Sequence, residues 1–465
     1  MYLLFLLFSS ILSNTIYIPN DYSNIQDGID NANNGDSILV YPGTYYENLE
    51  INEKSIILLA VNSSDSTIID GNYAGPVIIF NNVNTEPVEL NGFTIQNGNG
   101  EFIENATFGG GILSKDSYSI IKNSVIKNNS AFAGGGICYY SLNYNNQNNL
   151  IANCEVKNNN ASEGGGVFSA NHIITIENSN FNSNGMDLYG SGGGIQILLS
   201  ELCINNSTLS NNETRFGGGI YIGASNAVFN NTIISNNYSD SKGGGIWIGS
   251  DSNATINYTL ISNNQSTGFG GGIFVSNSYL DILNTTISKN IIDQNVLGAG
   301  IYMDGGNASI INSIIYYNRK ENSDETIFNL GGYSSNNFHE YDITYTDIEG
   351  ENIWLPDGIG NISSNPLFVD LINNNFNLLI NSPCIDSGSP WTFDLDNTIT
   401  DMGAYYYNQT SSGDLNYDST IDILDIIILI NLILNNEYDN LGDMNLDGVL
   451  NVQDAIIIIN TILTN

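Results

Sequence analysis

The chain has 465 residues and a formal net charge of −38, which comes from 48 acidic residues set against only ten Lys and Arg. That length permits two or more domains with a substantial core. So few bases argue against nucleic acid or an anionic membrane surface as a partner, because phosphate neutralisation requires clustered Lys and Arg.

Residues 1–14 are an apolar run followed by small and polar residues, the pattern of a secretory signal peptide. The run lacks a basic start, and a first buried strand is the other reading. It is too short to span a bilayer, and no later apolar segment is long enough. A secreted or cell-surface protein without a membrane span is therefore expected. Four cysteines, Cys138, Cys154, Cys203 and Cys384, are too few and too scattered for a disulfide framework. They are expected as buried or half-buried free thiols.

Between residues 90 and 320 the sequence repeats every 25 to 30 residues with two fixed phrases. One is a glycine triplet followed by an apolar residue, as in Gly192-Gly-Gly-Ile195, Gly217-Gly-Gly-Ile220, Gly243-Gly-Gly-Ile246 and Gly270-Gly-Gly-Ile273. The other ends on an asparagine: Asn129, Asn159, Asn184, Asn212, Asn237, Asn264, Asn290 and Asn318. From third glycine to asparagine the count is 18 in six repeats, 19 in a seventh, and 23 in the repeat containing Asn145–Asn149, which reads as an inserted loop. Short β-branched runs of period two, such as Ile246-Trp-Ile248, indicate strands. Strands spaced about eight residues apart bury one continuous core when the chain coils and each strand pairs with its equivalent one repeat later. Stacked asparagines then bond along a column, as in other ladders of this residue. Asn also tolerates the left-handed backbone of a tight turn, and glycine permits close approach of successive coils.

These phrases resemble the right-handed parallel β-helix families, pectate-lyase-like in architecture. The pairing with Gly-Gly-x-Ile is also similar to the passenger repeats of polymorphic outer membrane proteins. The flanks agree, at Ile18–Asp30 and Asp36–Tyr45 for the opening and at Asn365–Asp370, Ser382–Gly388 and Asp401–Tyr405 for the close. The expected fold is an all-β right-handed parallel β-helix solenoid over residues 15–407. The resemblance is specific for fold and weak for activity, since one fold hosts many chemistries.

Two surface features of the solenoid are candidates for function. The turn before each glycine triplet holds Glu163, Asp187, Glu213, Arg215 and Asp240, with Lys242 and Asp293 nearby. Paired carboxylates there would serve glycoside hydrolysis, and ordinary solvated polar turns are the other reading. The position two residues after each triplet reads Leu113, Cys138, Phe168, Gln196, Tyr221, Trp247, Phe274 and Tyr302. Alternation points this column away from the core, so Tyr221, Trp247, Phe274 and Tyr302 form either a sugar-binding strip or stacked aromatics that stabilise the sheet. The basic and histidine groups expected of lyases and esterases on this fold are scarce.

After a short linker, 408–412, residues 413–465 hold one 24-residue phrase twice, with 12 identities. Oxygen-bearing side chains fall at loop positions 1, 3, 5, 9 and 12: Asp414, Asn416, Asp418, Asp422 and Asp425, then Asp443, Asn445, Asp447, Asn451 and Asp454. Position 7 offers the carbonyls of Thr420 and Val449. Calcium, which takes six to eight oxygens, fits this spacing, so two ions are expected; a repeat of acidic turns without metal is the alternative. Each loop runs into an isoleucine-rich helix. With Asp at position 12 and no helix pattern before either loop, the segment resembles the type I dockerin family, whose members dock onto cohesin domains of polysaccharide-degrading assemblies. It departs from that family in having no Lys or Arg in Ile426–Leu434 or Ala455–Leu463. Apolar residues crowd both helices, for mutual packing or for a partner. The function expected is polysaccharide binding or breakdown by a protein tethered to a cohesin-like domain; if an enzyme, a hydrolase of O-glycosyl bonds or a polysaccharide lyase. The competing expectation is a non-catalytic surface adhesin or structural protein.

Overall fold

The computed structural model describes residues 13–293, 298–321, 329–332, 340–350, 358–409, 412–416, 420–445 and 447–464. Of the expected leader only Ser13 and Asn14 fall within these. From Thr15 onward the chain winds as stacked coils. The coil that begins at Gly217 contributes strands Ile220–Gly223, Asn226–Asn230, Ile233–Ser235 and Tyr238–Lys242. Each pairs in parallel with its counterpart one repeat later: Ile220 with Ile246, Asn226 with Asn253, Ile233 with Leu260 and Tyr238 with Gln265. Repetition yields a 20-stranded sheet, which takes the first two strands of most coils, a 12-stranded sheet and a 7-stranded sheet.

Period-two alternation fills the interior. Ile195, Ile220, Ile246, Ile273 and Ile301 stand in one column, and all are fully buried. A column through Phe229 on the second strand of the same sheet and one through Ile234 on the 12-stranded sheet complete the core. Helix α1 (Ile25–Asn31) lays Ile25, Gly28 and Ile29 against Ile16 and Ile18 of the same core at its start. The Glu47 carboxylate accepts the N–H groups of Ile25 and Gln26, both at 2.9 Å, at the helix N-terminus.

The asparagine pairs divide two jobs. In Asn211-Asn212 and Asn236-Asn237 the first residue has φ of 55° and 56° and turns the corner in the left-handed region. The second points inward and joins an unbroken amide ladder. Asn129, Asn159, Asn184, Asn212, Asn237, Asn264, Asn290 and Asn318 donate in series, each to the next, over 2.8–3.1 Å. Asn318 passes the series to Asn329, which the repeat pattern did not include.

The stretch around Asn145 is not a loop separate from the sheet. Ile137–Ala152 is one strand, and its register against Val167–Glu177 shifts twice, between Tyr140 and Asn145 and again before Asn148. The extra residues are thus absorbed as bulges that leave Leu142 and Tyr144 exposed. Residues 365–407 fold back as a strap over the outer face of the 12-stranded sheet. Phe368, Phe376, Leu378, Cys384 and Met402 pack on Leu260 and Ile314. Ala404 N donates to Thr286 Oγ1 at 3.0 Å and Ser389 N to Asn312 Oδ1 at 2.8 Å. Two helices follow, α2 (Ile423–Asn435) and α3 (Val452–Thr464). No helix among the described residues is long and apolar enough to cross a membrane.

Candidate functional site

The glycine triplet governs what the outward aromatic column can do. Its first residue is left-handed, with φ of 63° at Gly109 and 65° at Gly192. A Cβ there would strike the side chain four residues on, Leu113 or Gln196, at 2.6 Å. So tight a turn folds the residue before the triplet over the column. Lys242 Nζ lies 4.5 Å from the Phe274 ring centroid, and the Phe269 ring lies 4.5 Å from that of Tyr302.

Tyr221, Trp247, Phe274 and Tyr302 do align in register on successive strands. Their ring faces, however, are spent on one another: Tyr221 and Trp247 stack at 4.1 Å with planes 3° apart, and Phe274 and Tyr302 at 5.8 Å and 6°. Phe274 is 1% exposed and Tyr302 8%. The four-ring sugar platform is corrected accordingly: two members are covered, and Tyr221 and Trp247 are half-buried.

The carboxylates of the variable turn are split among columns of the 7-stranded sheet. Glu163 pairs with Ser191, whose hydroxyl donates to it at 3.1 Å, and that column continues through Phe216 and Lys242. Glu213 stands in another column, between Gly185 and Tyr238. Arg215 and Asp240 are exposed. Burial, with Asp240, Asp293, Glu213 and Glu321 nearby, raises the Tyr238 phenol above its ordinary range. The Asp187 side chain lies outside what is described. Glu163 and Glu213 are not brought together as a pair.

His172 is fully buried among Tyr139, Ser119 and Asn149, and burial pulls its imidazole down to about 4. It is neutral at ordinary pH and closed to solvent. Cys138, Cys154 and Cys384 are buried and Cys203 half-buried, all as free thiols.

The C-terminal module builds its two loops from one plan. In the first, Asp425 Oδ1 accepts the N–H groups of Leu415 and Asn416 at 2.7 and 3.1 Å, and Oδ2 accepts that of Asp422 at 2.8 Å. Asp422 caps α2 by accepting from Leu424 N at 2.7 Å, so positions 9 and 12 form a capping box. In the second, Asp454 Oδ1 accepts from Met444 and Asn445 and Oδ2 from Asn451, while Asn451 Oδ1 accepts from Gln453 N. Asp443 accepts from Asp447 N and Gly448 N, with Gly448 left-handed at φ 81° where the loop turns most sharply. Tyr438 also donates to Asp443 at 2.9 Å. Asp418 lies outside the described residues.

Among the described residues no three His, Cys, Asp or Glu groups are gathered as a metal cluster. A calcium loop does not need one, because it mixes carboxylate, amide and main-chain oxygens. Asp425 Oδ1 and Asp454 Oδ1 each already accept two N–H groups, but the Oδ2 atoms accept one and keep a second lone pair for a hard cation.

The two helices then sort their apolar residues by face. Leu429 and Ile458 are fully buried between them, with Leu415, Leu441 and Ala455. Ile423, Ile427, Ile430 and Leu434 on α2 are 67, 51, 45 and 73% exposed. Their equivalents in the second phrase, Val452, Ile456, Ile459 and Leu463 on α3, are 67, 51, 40 and 77% exposed. Spacing of i, i+4, i+7 and i+11 makes each set one stripe. Mutual packing accounts for one face of each helix, and the other face leaves its apolar stripe exposed.

The family model of a right-handed β-helix region matches residues 142–315, and that of a type I dockerin domain matches residues 412–463. A search of curated proteins finds no match. Among solved structures the chain is similar to pectate lyase Pel9A, at 13% identity over 86% of this chain and 98% of that one, with a TM-score of 0.42. It is similar to PfbA, a surface adhesin of Streptococcus pneumoniae, at 15% identity over 73% and 93%, TM-score 0.30. It is also similar to a polygalacturonase from Erwinia carotovora ssp. carotovora, at 12% identity over 70% and 96%, TM-score 0.28. With the stacked coils and the paired loop-helix repeats in place, the chain is a parallel β-helix solenoid with a region that matches the right-handed β-helix family, followed by a small helical module that matches the type I dockerin family.

Proposed function

We propose that this is an exported, polysaccharide-associated β-helix protein held to a cohesin-like domain through its calcium-dependent C-terminal module. Residues 1–14 serve as the leader, 15–407 as the glycan-associated body, 408–412 as the linker and 413–465 as the tether. One observation carries the reading: two equivalent loops each end in a helix that presents the same four-residue apolar stripe to solvent. Asp414, Asn416, Asp418, Asp422, Asp425 and the Thr420 carbonyl would hold one calcium ion. Asp443, Asn445, Asp447, Asn451, Asp454 and the Val449 carbonyl would hold the second. Calcium supplies charge neutralisation there, since nine acidic residues and no base stand in residues 413–465.

The separate columns of Glu163 and Glu213 favour adhesion over turnover in the body. If turnover occurs, it is hydrolysis of O-glycosyl bonds or polysaccharide lysis. Calorimetric titration of the full chain with calcium, followed by capture on a panel of immobilised cohesin domains with and without chelator, tests the tether. Two calcium ions and calcium-dependent capture are expected; no calcium uptake rejects the reading. Reducing-sugar and unsaturated-product assays across neutral and acidic glycans distinguish adhesin from enzyme.

A further inference from the structure

On the outer face of the 20-stranded sheet, toward its C-terminal coils, lies an open groove of about 600 Å³. Its walls come from two neighbouring columns. Asn253, Tyr279 and Asn307 pair in one, and Asp281, Ser309 and Asp342 pair in the other. At about 4.8 Å per coil, the groove runs roughly 14 Å along the solenoid axis.

Asparagine columns earlier on the same sheet bond along their length. Asn230 donates to Asn205 at 2.9 Å and Asn257 to Asn230 at 3.0 Å, and in the groove's own column Asn253 donates to Asn226 at 2.8 Å. The pattern stops at Tyr279. The side chains of Tyr279, Asp281, Asn307, Ser309 and Asp342 make no hydrogen bond to any described residue. Tyr279 is 55% exposed, and its ring stacks on no other described ring, in contrast to Tyr221 and Trp247. A concave surface with an unstacked aromatic ring, two carboxylate acceptors, an amide and a hydroxyl is complementary to a sugar, which has apolar ring faces and hydroxyl edges.

We infer that this groove binds a short stretch of an uncharged polysaccharide, with Tyr279 against a pyranose face and Asp281, Asn307, Ser309 and Asp342 taking its hydroxyls. The inference rests on the polysaccharide association proposed above and specifies where it occurs. The carboxylates and the net charge of −38 oppose a polyuronate.

The test is calorimetric titration of the full-length protein with cellohexaose, xylohexaose and mannohexaose, and with hexagalacturonate and a chitosan hexamer as charged probes. At least one neutral hexamer should bind, with affinity falling tenfold or more in both Tyr279→Ala and Asp281→Ala while thermal melting is unchanged. Asp342→Ala serves as the second carboxylate variant should either of these melt early. Neutral-hexamer binding that both variants retain would overturn this site and leave the polysaccharide association standing. Binding of charged probes alone would overturn the assigned ligand class. A parent chain that binds no glycan would overturn both, with the calcium-dependent tether scored separately.

Discussion

Asn237 donates its side-chain amide to Asn264 Oδ1 at 2.9 Å, and the same oxygen accepts the Asn237 backbone N–H at 3.0 Å. The second amide hydrogen of Asn237 goes to the Leu209 carbonyl at 3.0 Å, and its own Oδ1 accepts the backbone N–H and one amide hydrogen of Asn212. The side chain is 1% exposed with its donors and acceptor all in use. Such a ladder fixes the rotation of each coil relative to the next, because an offset would strand several buried polar groups at once.

Asn237→Ala therefore leaves two Asn212 donors without their acceptor inside the core. A loss of about 3 kcal/mol is expected in denaturant unfolding. Asn253→Ala, in the exposed column, should cost less than about 0.5 kcal/mol. Equal costs at the two positions would show that the inner ladder has no special weight.

Much of the scaffold is legible in the sequence because one residue type serves one column: third-position glycine, ladder asparagine, inward isoleucine. Gly219 shows the cause, since a Cβ there would lie 2.6 Å from the Gly245 carbonyl of the next coil. The covering of the aromatic column is not legible in that way. The residues that fold over it, Phe108, Ala133, Lys242 and Phe269, are of three types with no common polarity. The groove at Tyr279 lies where a repeating column changes identity, and the strap can be placed only from tertiary contacts. Matching phrases at a constant offset of 29 residues give the stripe on α2 and α3, but which apolar face stays exposed depends on how Leu429 and Ile458 meet.

The strap is expected to respond to pH through Asp347. This carboxyl is fully buried beneath it, with Ser364 N donating to Oδ1 at 3.0 Å and the Cys384 thiol to Oδ2 at 3.3 Å. Burial pushes it up to about 7, and Asp394 and Asp401 in the strap are raised to about 7 and about 6 for the same reason. A raised carboxyl contributes stability that is complete below the unfolded value near 4 and is lost as pH rises through about 7. Asp347→Asn should raise stability at pH 8, by on the order of 3 kcal/mol, and leave it unchanged at pH 4. Thermal melting across that range checks this, and a variant equally destabilised at both values would contradict it.

His172 acts with the opposite sign. Its imidazole is held neutral by burial, so its contribution is present above the unfolded value of 6.5 and is lost as pH falls through about 4. Replacement by an uncharged residue, as in His172→Gln, should flatten the acid limb of the stability profile between pH 6.5 and 4.

In the C-terminal module, Asp425 combines a cap and a proposed ligand. Asp425→Ala removes the acceptor for Leu415, Asn416 and Asp422 N–H. It is expected to reduce bound calcium from two ions to one and to lower far-ultraviolet helicity. Asp454→Ala should do the same from the other loop. Ile427→Ser with Ile456→Ser, both about half exposed, should leave calcium uptake intact and abolish capture on the cohesin-like partner.

Hydrogen exchange on the full chain, with calcium and with chelator, tests the central claim most directly. Calcium should slow exchange at Leu415, Asn416, Met444 and Asn445 and through α2 and α3, while the Asn212–Asn237–Asn264 ladder stays equally protected in both. Unchanged exchange in the two loops on adding calcium would contradict the account.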